Sequence, residues 1–355
     1  MPVIRYDTLY SVCTAVRPRS VAATSTIEAA QPNRTTPLVR MLPLLLLVLP
    51  ALGACDKLPG RSGPKTAFDA GAAMRYTTEQ LAFGPRVPGT PAHVKAGDWI
   101  VSMMKQRADT VIEQRFTHRT ADGRELPLRN VLARFKPALT QRVLYVTHWD
   151  TRPTADDDPV LGNRGTPIPG ANDGAAGVGL FIALGDALRK VPPNVGVDLL
   201  FVDGEDYGRS FDPPYVDVLL GSQWFAAHLP SPDYRPIYGV LWDMIADKDL
   251  DIYQEARSVQ GAPEVVSRVW AKAKELGYDR YFIPEGGQDV IDDHVPLLEK
   301  GLRVIDVIDI DYGPPARGGG ASPSYHHTLQ DTIDKISVKS LQIVGDVALS
   351  LIQDF

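Results

Sequence analysis

Residues 143–146, 197–202, 238–244 and 303–308 are short, near-continuous runs of Val, Ile and Leu. None is long enough for a helix, and none alternates apolar with polar positions as a strand with one wet face does. Such runs predict strands buried on both faces. Helical periodicity separates or follows them at 174–189, 217–228, 263–276, 294–300 and 337–353. Two earlier segments, 110–119 and 127–136, do alternate and flank the turn signal Ala121-Asp122-Gly123, which predicts half-buried strands. Helices at 67–81 and 94–107 bracket the loop GPRVPGTPAH at 84–93. Strands alternating with helices imply an α/β fold with a mostly parallel sheet covered on both faces. No internal repeat and no shift in composition divides 67–355, so one domain is expected there.

Polar residues gather where the predicted strands stop. His148 and Asp150 follow the first parallel strand, Asp173 opens the next helix, Glu205 and Asp206 follow the second strand, and Asp243 closes the third. Asp292-Asp293-His294 and His326-His327 lie in later loops. In open α/β sheets ligands bind beyond the carboxyl ends of the strands. Taken singly, each residue has a structural role open to it: Asp173 an N-cap, Asp206 a turn, His326 a solvated loop. Repetition at successive strand ends favours a site. Gathered carboxylates repel one another unless a cation joins them, and histidine with carboxylate ligands suits Zn²⁺. The chain has no H-E-x-x-H, no G-x-S-x-G and no G-x-x-x-x-G-K-[ST] sequence, which disfavours those hydrolase and nucleotide-binding chemistries.

Composition narrows this further. With 43 Asp+Glu against 37 Lys+Arg the net charge is -6, and no basic run offers a nucleic-acid surface. The two cysteines, Cys13 and Cys55, cannot form a thiolate zinc module, which leaves the seven histidines as nitrogen ligands. Residues 42–54, LPLLLLVLPALGA, are too short to span a bilayer and read as the apolar core of a signal segment, with Arg34 and Arg40 before it. The run ends in Leu52-Gly53-Ala54-Cys55, which resembles the bacterial lipobox. The expected organisation is a signal segment at 1–54, a linker at 55–66 after a lipidated Cys55, and a catalytic domain at 67–355. Removing 1–54, with five arginines against Asp7 and Glu28, takes the net charge from -6 to -9. An exported lipoprotein of the cell envelope follows, attached to a membrane only through its lipid.

The series THWD (147–150), PGANDGAAG (169–177), FVDGEDYG (201–208), LLGSQWFAAHL (219–229), LWDMIADKD (241–249), VIDDHVP (290–296) and YHHTLQDTIDKIS (325–337) resembles the zinc aminopeptidase (family-28 metallopeptidase) superfamily. Within it the pattern is most similar to the glutaminyl-peptide cyclotransferases of animal type that also occur in bacteria. The resemblance implies a three-layer α/β/α sandwich around a mixed, mostly parallel sheet. It implies zinc on Asp173, Asp206 and His327, with His148 and Asp243 matching the positions that hold a second zinc in aminopeptidases. Glu205 matches the general acid/base, and Asp292 with Asp243 the acidic pair around the substrate amine. Asp206 stands where the usual second residue of the pair is Glu. His326 stands at a pocket tryptophan of the animal enzymes, Phe211 lies near another, and Trp149 either lines the pocket or packs beneath it. The 312–324 segment is expected to be a loop beside the site.

Two chemistries remain open on the sequence: cyclisation of an N-terminal glutamine with loss of ammonia, or aminopeptidase hydrolysis with one or two zincs. An inactive cell-surface binding domain is the weakest reading, since no ligand or base is missing. The substrate in either reaction is a peptide or protein N-terminus, acted on by a monomeric catalytic domain. Trp99, Trp224 and Trp270 are expected in the core, His93 and His118 at the surface, and His294 beside the site rather than on the metal.

Overall fold

The computed structural model describes residues 65–209, 214–314 and 324–355. The chain runs α1 (Ala70–Leu81), α2 (Pro91–Lys105), β1 (Thr110–Arg119), β2 (Glu125–Phe135), β3 (Arg142–His148), α3 (Gly177–Lys190), β4 (Gly196–Val202), α4 (Leu220–Ala227), β5 (Tyr238–Asp243), β6 (Ile252–Gln254), α5 (Ala256–Gly261), α6 (Pro263–Glu275), β7 (Phe282–Gly286), α7 (His294–Glu299), β8 (Val304–Ile308) and α8 (Val338–Gln353). The main sheet has the order β1-β2-β4-β3-β5-β8. β4, β3, β5 and β8 pair in parallel, while β2 runs antiparallel to both β1 and β4. This is the mixed, mostly parallel sheet expected; the short parallel pair β6–β7 was not foreseen.

The continuous apolar runs are explained by two cores. Along β3, Val143 and Tyr145 enter one cluster while Leu144 and Val146 enter the other. β4 repeats the division, with Val197, Leu199 and Phe201 on one face and Leu200 and Val202 on the opposite one. Successive side chains of a strand point to opposite faces, so a strand covered on both sides needs apolar residues at every position. The larger core is closed by α1, α3, α6 and α8, and the smaller includes Phe225 and Ala226 of α4 and Leu297 of α7. At about 25 cal/mol per Å² of apolar surface removed from water, these faces are the main driving force for assembly.

Local signals set the helix starts. Asp69 accepts from the Ala72 N–H to cap α1, Thr90 accepts from the His93 N–H to cap α2 ahead of Pro91, and Ser337 accepts from the Ser340 N–H to cap α8. The helix expected from 174 starts at Gly177, because Ala171–Ala176 form a distorted turn in which Asp173 leaves helical geometry (φ -80, ψ 91). Among the described residues no helix is long and apolar enough to cross a membrane. Cys55, the 1–54 segment, Phe211 and residues 315–323 of the expected loop lie outside the described residues.

Candidate active site

The parallel strands deliver their last residues to one place. His148 ends β3, Asp243 ends β5, and Glu205 and Asp206 lie just beyond Val202 of β4. The distorted turn at Ala171–Ala176 adds Asp173, and a buried turn before α8 adds His327. Asp173 stands between the two histidines: its Oδ1 is 3.1 Å from His148 Nε2 and its Oδ2 is 3.7 Å from His327 Nε2. Asp206 Oδ1 lies 3.2 Å from His327 Nε2, and Asp243 Oδ1 lies 3.0 Å from His148 Nε2.

Tight backbone geometry makes this possible. Gly174 has φ +95, and a Cβ there would lie 2.7 Å from the Asp150 carbonyl oxygen and 3.1 Å from the His148 ring. His327 and Met244, the residue after Asp243, adopt left-handed φ of 51° and 45°. Non-glycine residues held this way cost about 1–3 kcal/mol each and concentrate at functional sites. Asp150 supports the β4 loop from below, its Oδ1 accepting from the Glu205 N–H at 3.1 Å and its Oδ2 from the Asp206 N–H at 3.3 Å. Arg152 Nη1 donates to Asp206 Oδ1 at 2.6 Å and so fixes the orientation of that carboxylate.

Asp173, Asp206 and His327 bring ligand atoms within 4.8 Å of one another, and so do His148, Asp173 and Asp243. The two sets share Asp173. The Oδ2 atoms of Asp173 and Asp206 are buried without a hydrogen-bond partner in the protein. Buried carboxylate oxygens left in that state are strongly disfavoured unless a cation or proton meets them. Histidine nitrogen and carboxylate oxygen donors grouped in this way fit zinc.

The electrostatics follow from crowding. Burial, then the Asp206 and Asp292 carboxylates, holds Glu205 well above the usual carboxylate range. Burial pushes Asp206 up to about 6 against the pull of Arg152. Burial, then Asp243 and Asp293, holds Asp292 well above its ordinary value, and Asp293 rises to about 7 through burial. Burial disfavours charge on His148, but Asp243, with Asp150 and Asp173, outweighs it and holds the ring well above its usual value. Desolvation lowers His327 to about 3, leaving a neutral ring suited to ligation.

All six residues expected at the metal and base positions therefore converge, with Asp292 among their near charges. Asp150 and Asp293, from the clustered acids of the sequence, and Arg152, which carries no such signal, complete the site. His326 stacks on His327 at 3.6 Å and is half-buried beside the ligand. Trp149 does not line the pocket. It is fully buried, stacks on His93 at 4.4 Å, and donates from Nε1 to the Arg129 carbonyl at 3.2 Å. His93 is not a surface residue either, since its Nε2 meets Asp203 Oδ1 at 2.8 Å in the interior. His118 is half-buried against Asp217 at 2.7 Å. His294 lies off the metal sets, 3.3 Å from Glu255 and 3.8 Å from Asp306.

Comparison with known proteins agrees with this fold. A Zn-dependent exopeptidase from Parabacteroides distasonis superposes with a TM-score of 0.75 at 35% identity, covering 81% of this chain and 99% of that one. The Bacteroides thetaiotaomicron glutaminyl cyclase bound to N-acetylhistamine superposes with a TM-score of 0.76 at 33% identity, covering 81% and 98%. Aminopeptidase YwaD of Bacillus subtilis is 24% identical over 314 residues, 82% of this chain but 58% of that protein's length. The model of peptidase family M28 matches residues 130–352, a span that contains both candidate ligand sets and Glu205. On this footing the chain belongs to peptidase family M28.

Proposed function

We propose that the chain is a glutaminyl-peptide cyclotransferase, closing the N-terminal glutamine of peptides or proteins to pyroglutamate with release of ammonia. The observation that carries this reading is the wall of acids beside the shared metal set. Glu205, Asp243, Asp292 and Asp293 crowd together, and three of them, Glu205, Asp292 and Asp293, are held above the usual carboxylate range. Such a wall suits a substrate that presents an amine and must lose and regain protons. Similarity to the Bacteroides glutaminyl cyclase over four-fifths of the chain supports the same reading.

Asp173, Asp206 and His327 would hold zinc, which when bound would supply a Lewis acid for a carbonyl. Asp292 and Asp243 accept hydrogens from the substrate α-amine and aim its lone pair at the γ-amide carbon. As the new C–N bond forms, Glu205 takes a proton from the amine. The bond to the amide nitrogen then breaks, and Glu205 returns the proton to that nitrogen, which leaves as ammonia. A carboxyl whose proton affinity is raised by burial and neighbouring carboxylates serves both steps. Holding the amine and the carbonyl of one residue in contact gains the entropy of an intramolecular reaction.

A second reading, aminopeptidase hydrolysis, is favoured by the intact His148–Asp173–Asp243 set. There water replaces the amine as nucleophile, Glu205 takes the water proton, and the peptide bond breaks. Zinc-loaded protein should release ammonia from Gln-initiated peptides and leave Leu-p-nitroanilide nearly untouched, with about one zinc per chain. Rapid anilide hydrolysis without ammonia, with about two zincs, would overturn the cyclase reading.

For location, we infer export and lipidation at Cys55, supported by the apolar run and Leu52-Gly53-Ala54-Cys55. Labelled fatty acid should enter the protein in bacterial cells and fail to enter Cys55→Ser; no label with Cys55 intact would sink the anchor. The catalytic domain is taken to act as a monomer, which sedimentation would test.

A further inference from the structure

Asp331 lies four residues beyond His327, is fully buried, and has no part in the reaction described above. Its Oδ1 accepts from the Asn172 N–H at 2.8 Å and from the Tyr312 hydroxyl at 2.7 Å, and its Oδ2 accepts from the Asp173 N–H at 3.2 Å. Its carbonyl accepts from the Ala171 N–H, and its own N–H donates to the Thr328 carbonyl, both at 3.3 Å. One residue thus grips three consecutive amides of the turn that presents Asp173 and closes the turn that directly follows His327.

Both turns need holding. Asp173 departs from helical geometry within its turn, and His327 has a left-handed φ of 51°. The two ligands come from distant parts of the sequence, and neither has a strand beneath it to set its position. Tyr312 completes the arrangement: its ring is fully buried, meets Tyr325 edge-on at 5.4 Å, and its hydroxyl has its donor role fixed by Asp331.

We propose that Asp331, oriented by Tyr312, is the positioning residue of the shared metal centre, setting the separation between Asp173 and His327. The inference rests on zinc occupying those ligands and not on which of the two reactions follows. Residues that orient metal ligands typically change affinity by about 10–100-fold when altered.

The test is zinc affinity of the metal-free full chain, read by competition with a chromophoric chelator, with thermal unfolding of each metal-free variant measured alongside. Asp331→Asn keeps the shape but presents an amide N–H₂ group to at least one donor. It should bind zinc about 10–100-fold more weakly. Tyr312→Phe removes only one hydroxyl donor and should weaken zinc by about two- to tenfold. If both variants hold zinc within twofold of the unaltered chain, whatever their unfolding temperatures, Asp331 is a packing residue and the proposal fails. If Asp331→Asn does not fold, unchanged zinc affinity in Tyr312→Phe overturns it. An unaltered chain that binds no zinc would instead sink the metal assignment itself, which separates the two failures.

Discussion

Asp198, in the amino-terminal half of β4, and the acids beyond the carboxyl ends of the same parallel strands are all buried, but they are partnered in opposite ways. Asp198 receives Arg142 through Nε and Nη2 at 2.6 Å each, Arg134 Nε at 3.0 Å and the Tyr234 hydroxyl at 2.8 Å. At the other end, buried oxygens of Asp173, Asp206, Asp292 and Asp293 have no hydrogen-bond partner in the protein. The first arrangement satisfies a charge inside the fold; the second leaves charge to be satisfied by something that binds. Burial alone thus does not mark a functional acid. The informative feature is burial together with unmet hydrogen-bonding capacity.

The largest effect that sharpens this contrast is on catalysis. Glu205→Gln keeps size and polarity but cannot carry a proton, and turnover should fall by about 10²–10⁴-fold. The unfolding temperature should stay the same or rise, because a neutral amide relieves the crowding with Asp206 and Asp292. Turnover within tenfold of the unaltered protein, measured by ammonia release, would remove Glu205 from the reaction.

Asp198→Ala should behave in the opposite way. It leaves the buried Arg142 guanidinium without its counter-charge, and breaking a buried pair from one side costs about 3–5 kcal/mol. Chemical denaturation should show that loss, while turnover per folded molecule stays within about twofold. A fall in turnover matching that of Glu205→Gln would mean that the two ends of the sheet are not independent, and the comparison would break.

How far the sequence revealed these two ends differs for physical reasons. His148, Glu205, Asp206 and Asp243 were readable because each lies at or just past the end of an apolar run. Asp198 was hidden for the converse reason, a single acid inside such a run whose partners Arg134 and Arg142 lie on other strands. The depth of Trp149 was also not readable, since it follows the last strand residue, where the alternation of faces no longer applies. His93 was misplaced because its partner Asp203 is remote in sequence. The β6–β7 pair, with strands of three and five residues, is too short for periodicity to register. Asp150 and Asp331 act on backbone N–H groups, and that kind of role has no side-chain spacing to betray it.

The smallest effect is also the one that tests the electrostatics most directly, namely the pH dependence of stability without metal. A carboxyl whose folded pKa is raised contributes stability fully below its unfolded value near 4 and loses it as pH climbs through the folded value. Asp293 and Asp331, each raised to about 7 chiefly by burial, therefore favour the folded state less at pH 8 than at pH 6.5. His148, held protonated above its usual range, acts in the same direction above pH 6.5. His326 and His327, lowered to about 3, act oppositely, but only below about pH 6.5, where the unfolded chain takes up their protons. The window from pH 6.5 to 8 is thus dominated by the first effect. Each such group contributes at most about 1.4 kcal/mol per pH unit, so the metal-free protein should lose about 1–3 kcal/mol across it. Zinc neutralises the same crowd of charges, and the loaded protein should be markedly flatter over that range. If the metal-free protein is instead as stable at pH 8 as at 6.5 by denaturant titration, the acids at the strand ends already have internal partners. They would then be like Asp198 after all.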